Sequence, residues 1–156
     1  MLVVTGGAGF IGSHLTDALQ QGADLVHGDD PGELESDWGA WFPPVVVRDV
    51  TDEMLCVREE TFGPLFGLMS FESEEQALRM ANSSELGLAA YLFTADEQRA
   101  ERMIPRLHYG HVAWNTGSGP TPEAPFGGMR QSGIGREGGA EGLLEFVEIQ
   151  TVPRGN

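Results

Sequence analysis

Val45-Val46-Val47 sets the strongest constraint on this chain. Three consecutive β-branched residues suit a strand buried on both faces, the environment a parallel sheet creates. Phe42-Pro43-Pro44 opens the run, and proline is tolerated at a strand's start. Strand and helix patterns then alternate. Leu65-Phe66-Gly67-Leu68-Met69-Ser70-Phe71 reads as a strand. Ser73-Glu74-Glu75-Gln76 is a capping-box pattern, and the helix it opens carries Ala77, Leu78 and Ala81. Gly87 turns the chain into the strand Leu88-Ala89-Ala90-Tyr91-Leu92-Phe93. Thr94-Ala95-Asp96-Glu97 is a second capping box, followed at helical spacing by Ala100, Met103, Ile104 and Leu107 until Gly110. His111-Val112-Ala113-Trp114 is strand again. This alternation predicts an α/β fold, a mostly parallel sheet with flanking helices. Thr116 to Gly142 is a long glycine- and proline-rich loop, of the kind that is usually functional or mobile. Leu143 to Val152 moves into a period-2 strand.

Composition narrows the function classes. Acidic residues number 24 against 9 basic ones, giving a net charge of −15 over 156 residues. Every basic residue is arginine and there is no lysine. Such a surface repels phosphate backbones and anionic lipid, which argues against nucleic-acid and membrane partners. It fits a protein of a high-salt cytoplasm, or simply an acidic segment. Without lysine there is no Schiff base, no P-loop lysine and no lysine general base. A single cysteine, Cys56, fits a reducing cytosol. No apolar run approaches the ~20 residues of a membrane span, and the start lacks a signal-peptide pattern, so the expected location is cytoplasmic.

At the N-terminus, Met1-Leu2-Val3-Val4 reads as a strand, and Thr5-Gly6-Gly7-Ala8-Gly9-Phe10-Ile11-Gly12 as a glycine turn into a helix. Gly6, Gly9 and Gly12 could let backbone amides approach a pyrophosphate at the helix N-terminus. Equally, they could supply only a strand and a helix. Their spacing resembles extended short-chain dehydrogenases and NAD-dependent epimerases. That family also needs a Tyr-x-x-x-Lys pair, which a chain without lysine does not have.

A wider resemblance rests on motifs in order: Asp49-Val50-Thr51, Met54, Glu59-Glu60-Thr61-Phe62-Gly63-Pro64, Ala81-Asn82, Gly87-Leu88, Asn115, Pro125-Phe126-Gly127-Gly128 and Ser132-Gly133-Ile134-Gly135-Arg136-Glu137. These resemble the C-terminal third of the aldehyde dehydrogenase superfamily. Asn115-Thr116-Gly117 and the run from Gln131 to Gly139 look closest to its succinate-semialdehyde branch. The resemblance covers residues 16–156 and leaves 1–15 to the epimerase-like start, with 16–30 fitting both patterns. It implies a partial catalytic domain ending in an oligomerisation strand.

The implied roles fall on particular residues. Glu59 and Glu60 lie between two apolar elements, where a carboxylate is either a first-turn helix charge or a ligand-facing group at a sheet end. By resemblance, Glu60 hydrogen-bonds the nicotinamide ribose of NAD or NADP, and Phe62 packs beside the nicotinamide. Two carboxylate oxygens can accept from two hydroxyls, and an aromatic face shields a reacting ring from water. Phe126 corresponds to the aromatic of the substrate tunnel. The hydroxyl that binds a semialdehyde's distal carboxylate falls at Pro120, which cannot donate, with Thr121 beside it. Cys56 lies outside the family's Gly-Gln-x-Cys context and reads as a core thiol. Gly133-Ile134-Gly135-Arg136-Glu137-Gly138 spells G-x-G-x-x-G without a preceding strand, so it predicts no dinucleotide site. His108 and His111 are interrupted by Gly110 and predict no metal site.

The sequence thus implies an NAD(P)-dependent aldehyde dehydrogenase by descent, acting on an aldehyde or semialdehyde. The nucleophile motif and the water-activating glutamate segment are absent from it, so no catalytic residue is assigned and the chain alone is expected to be inactive. Two alternatives stay open: a non-catalytic nucleotide-binding module on the N-terminal glycines, and an assembly piece. The latter would pair residues 145–152 with a second copy or with a full-length dehydrogenase.

Overall fold

The computed structural model describes residues 10–28 and 42–155. It divides into two compact units, one ending at Glu72 and the other beginning at Ser73. The expected strand at Met1–Val4, with Gly6 and Gly9, lies outside the described residues.

The first unit begins with α1 (Phe10–Gln20). Leu15 and Ala18 are fully buried on one face, and Leu19 packs beside them. The helix runs without a break through Thr16. It ends as its sequence demands. Gly22 adopts φ +100°, Ala23 N–H reaches back to Ala18 O at 2.9 Å, and Gly22 N–H reaches Leu19 O at 3.2 Å. That pair of bonds satisfies carbonyls a helix end would otherwise leave open.

Next, β1 (Asp24–His27) pairs antiparallel with β2 (Val45–Arg48), which pairs in parallel with β3 (Leu65–Leu68). Arg48 grips the Asp24 carboxylate directly across the first pairing, at 2.6 and 3.0 Å. Val45 and Val47 are fully buried, whereas Val46 is only half-buried. One face of β2 therefore carries the core and the other is partly open. The core comprises Leu15, Ala18, Ala23, Val45, Val47, Val50 and Met54. Each large side chain so buried stabilises by about 1.5–3 kcal/mol relative to exposure. Between β2 and β3, the short helix α2 (Leu55–Arg58) has no cap from Met54 before it. Asp17 of α1 supplies the acceptor instead, taking Leu55 N–H at 2.9 Å.

The second unit opens with α3 (Glu74–Ala81), capped by Ser73, whose hydroxyl accepts Gln76 N–H at 3.2 Å as the capping-box pattern predicts. Strands β4 (Ala89–Leu92) and β5 (His111–Trp114) run parallel. Between them, α4 (Glu97–Met103) continues into a tight turn at Ile104–Arg106, so it ends before Gly110. Its cap is Asp96, accepting Arg99 N–H at 3.0 Å, rather than Thr94, whose hydroxyl instead accepts Asp96 N–H. Thr94 lies two residues too early, and Asn115 holds its backbone in the strand's exit loop, accepting Thr94 N–H and donating to Thr94 O, both at 2.8 Å.

Among the described residues two of the three strand pairings are parallel, and the fold is α/β as expected. The tail differs from expectation. Residues 141–144 form the single helical turn α5 (Glu141–Leu144), and no strand follows. Phe146, Ile149 and Val152 stand 88%, 92% and 76% exposed. Period-2 apolar spacing gives a strand only where a neighbouring strand completes its hydrogen bonds, and no described residue does so here. Among the described residues no helix is long and apolar enough to cross a membrane.

Candidate functional site

The acidic pair sits at the end of α2, not at a helix start. Glu59 is the C-cap, with extended backbone and its N–H on Leu55 O at 2.8 Å. The first-turn reading is thereby excluded, since a helix C-terminus disfavours negative charge. The two carboxylates diverge. Glu59 Oε2 lies 3.4 Å from Nε2 of the buried His14 on α1. Glu60 is exposed and makes no hydrogen bond or ion pair among the described residues. Beyond it, Thr61 Oγ1 is buried without a hydrogen-bond partner among the described residues, and the Phe62 ring is 85% exposed. Gly63 then packs against Ile11, where a Cβ would collide with that side chain. The edge from Glu60 to Phe62 thus presents two free carboxylate oxygens and an uncovered ring, next to a segment fixed on α1. Gly12 lies within α1, while its partners in the glycine pattern fall outside the described residues.

Cys56, on α2, is half-buried, and burial pushes its thiol above the ordinary range. A raised pKa disfavours the thiolate. This agrees with its reading as a core residue.

In the second unit, Phe126 borders an open cleft of about 330 Å³, together with Leu88, Gly128, Ser132, Arg136 and Glu145. Its backbone is paired both ways with Glu137, at 2.7 and 2.8 Å. Its ring meets His111 edge-on, centroids 5.6 Å apart, and His111 meets Tyr91 at 6.2 Å. So His111 belongs to an aromatic stack behind the cleft. Among the described residues no group of three metal-ligating side chains assembles, around His108 and His111 or elsewhere. Thr121 is exposed and does not line the cleft. The glycine-rich run at 133–138 forms neither strand nor helix beyond the turn at Arg130–Ser132. Its positive φ at Gly133, Gly135 and Gly138 makes it a winding loop that delivers Arg136 to Gly128 O at 2.9 Å. The ring stack and the Arg136 contact join residues far apart in sequence, and no local pattern announces them.

The chain is similar to several known proteins. The succinate semialdehyde dehydrogenase of Acinetobacter baylyi is 42% identical over 138 residues, covering 88% of this chain and 28% of that protein. A solved oxidoreductase of Marinobacter aquaeolei superposes with a TM-score of 0.87 at 58% identity, over 97% of this chain and 31% of its own. The indole-3-acetaldehyde dehydrogenase AldA of P. syringae, solved with NAD+ and IAA, gives a TM-score of 0.84 at 30% identity, over 94% of this chain and 30% of its own. The chain therefore spans less than a third of the length of these relatives. The model of the aldehyde dehydrogenase family matches residues 7–152, and the chain belongs to that family.

Proposed function

We propose that this chain supplies the nicotinamide-ribose edge and the aldehyde-tunnel wall of an NAD(P)-dependent aldehyde dehydrogenase, and that alone it does not turn over. Glu60 would hold the ribose hydroxyls and Phe62 would cover one face of the nicotinamide. The observation that carries this reading is the free Glu60 carboxylate beside an exposed Phe62 ring. These groups suit a polyol next to a flat heterocycle, because a carboxylate with no internal partner retains its full capacity to accept hydrogen bonds. When bound, NAD(P) supplies the hydride acceptor for aldehyde oxidation. The chain's own part is to orient and shelter it. Phe126 would line the approach of the aldehyde, and Thr121, exposed and away from the cleft lining, is the second tunnel residue the resemblance implies. A semialdehyde is the substrate class favoured by the Acinetobacter relative, although Pro120 offers no donor for a distal carboxylate. The proposal covers residues 16–156 together with residues 7–15, which the family model also matches, expression in a cytoplasm, and Gly6, Gly9 and Gly12 as phosphate contacts.

Calorimetric titration of the folded chain with NAD+ and NADP+ at high salt tests the cofactor part. Saturable binding that Glu60→Gln weakens by about tenfold or more is expected, since hydrogen bonds to a charged group contribute about 1.5–3 kcal/mol. A folded sample that binds neither nucleotide overturns it.

A second reading, assembly through residues 145–152, is favoured by one observation: the exposure of Phe146, Ile149 and Val152. In this reading the tail forms its strand against a second copy or a full-length dehydrogenase. Removal of residues from Glu145 onward should then abolish co-purification with either.

A further inference from the structure

We infer that Arg130 is a positioning residue for the cleft wall: its guanidinium fastens the loop from Phe126 to Ser132, and with it Phe126, onto the turns that lead into β4 and β5. The inference rests on the reading of Phe126 as a tunnel residue.

Arg130 is one of three non-glycine residues with positive φ among the described residues, at +55°. Without a Cβ-free backbone, that conformation is strained and persists only where surrounding contacts impose it. Those contacts are explicit. Nη1 donates to Asn82 O at 3.2 Å and to Ser84 O, and Nη2 donates to Leu86 O at 2.9 Å and to His108 O at 3.4 Å. Four carbonyls from two separate turns converge on one planar fork. A guanidinium can serve them together because its donors are fixed in one plane. An ammonium has three donors at one point.

The neighbours of Arg130 bind the same turns. Met129 N–H and Gly110 N–H both reach Gly87 O at 3.0 Å, Gly87 N–H reaches Ser132 Oγ at 2.8 Å, and Gln131 N–H reaches Glu85 O at 3.0 Å. The loop lies so close that a Cβ on Gly110 would overlap Gly127 O, and one on Gly87 would come within 2.5 Å of His108 O. Phe126 is thus held from two sides, by the His111 ring and by a loop that Arg130 clamps.

The test is amide hydrogen exchange on the full chain carrying Arg130→Ala, with Arg130→Lys beside it. The expected result is at least tenfold faster exchange at Met129, Gln131 and Gly87. Protection at Ala100 and Asn115 should be unchanged, and the His111 Hε1 resonance should shift as its contact with Phe126 loosens. Arg130→Lys should fall between. Unchanged loop protection, or an even loss across the whole second unit, would overturn the inference. If Arg130→Ala does not fold, the wild-type chain decides: resolved, slowly rotating Nη resonances for Arg130 support the clamp, and averaged ones refute it. Saturation transfer between benzaldehyde and the Phe126 ring tests the tunnel reading separately. Its absence would end that reading and leave the loop result standing.

Discussion

The two units cohere by different means. The first is organised around a continuous apolar core, from Leu15 and Ala18 on α1 to Val45, Val47, Val50 and Met54. In the second, the buried apolar side chains are few: Leu78, Ala100, Met103 and Ala113. Polar cross-links take their place. Glu74 accepts from Arg99 and Arg102, at 2.8 and 3.0 Å, and Glu75 meets both Nη atoms of Arg106 at 2.6 Å. Asn82 spans Arg106 O and His108 N–H, Asn115 spans Thr94, and Arg130 gathers four carbonyls. Apolar burial is non-directional and tolerates repacking, whereas hydrogen-bonded loops tolerate little displacement. The candidate cleft belongs to the unit built the second way, which suits a wall that must hold its shape.

The contrast can be broken at its strongest point first. Leu15→Ala empties a fully buried site and should destabilise the first unit by about 2–5 kcal/mol in urea unfolding, with exchange protection at Ala113 unchanged. Gly110→Ala should strike the second unit in turn, because its Cβ would overlap Gly127 O. Overpacking of this kind costs about 1–3 kcal/mol or more, and the loss should appear in the thermal melt of the second unit alone. Ser73→Ala removes one cap bond and should cost about 1 kcal/mol, read as faster exchange at Gln76.

Acidification should give the smallest effect, again confined to the second unit. The Arg99 and Arg102 hydrogen bonds hold Glu74 below the ordinary value of 4.5, and the Arg106 bonds do the same for Glu75. A depressed folded pKa means these pairs contribute fully above the ordinary glutamate range. The contribution is lost as the pH falls through the lower folded values. Both carboxylates are solvent-accessible, so the effect should be small and should shrink further with salt. A pH titration of stability in which the first unit responds more than the second would reverse the comparison.

Much of the scaffold was legible from local chemistry. The Ser73 cap and the Val45 run each depend on neighbours within a few residues. Two patterns turn on residues beyond their own segment. Thr94 has the right side chain for a cap but is engaged by Asn115, 21 residues away. The tail after Leu144 has the right spacing for a strand but no ladder partner among the described residues. Pattern shows what a segment can form, and tertiary competition decides what it does form. The site divides the same way. Glu60, Phe62 and Phe126 stood out in their motifs, whereas Tyr91, His111 and Arg130 acquire a role only when distant turns meet.

The acidic pair after α2 carries more than charge. Written out, Glu59-Glu60 looks like a duplication. In the fold the backbone at Glu59 is extended, with φ −116° and ψ 145°, and successive residues of an extended chain face opposite ways. One carboxylate, itself exposed, reaches His14 on α1, and its twin faces solvent alone among the described residues. The letters are interchangeable but the positions are not. Losing one residue between Met54 and Glu59 would keep the composition almost unchanged, yet it would set Glu60 against His14 and Thr61 toward solvent. At this edge, phase along the chain carries the information.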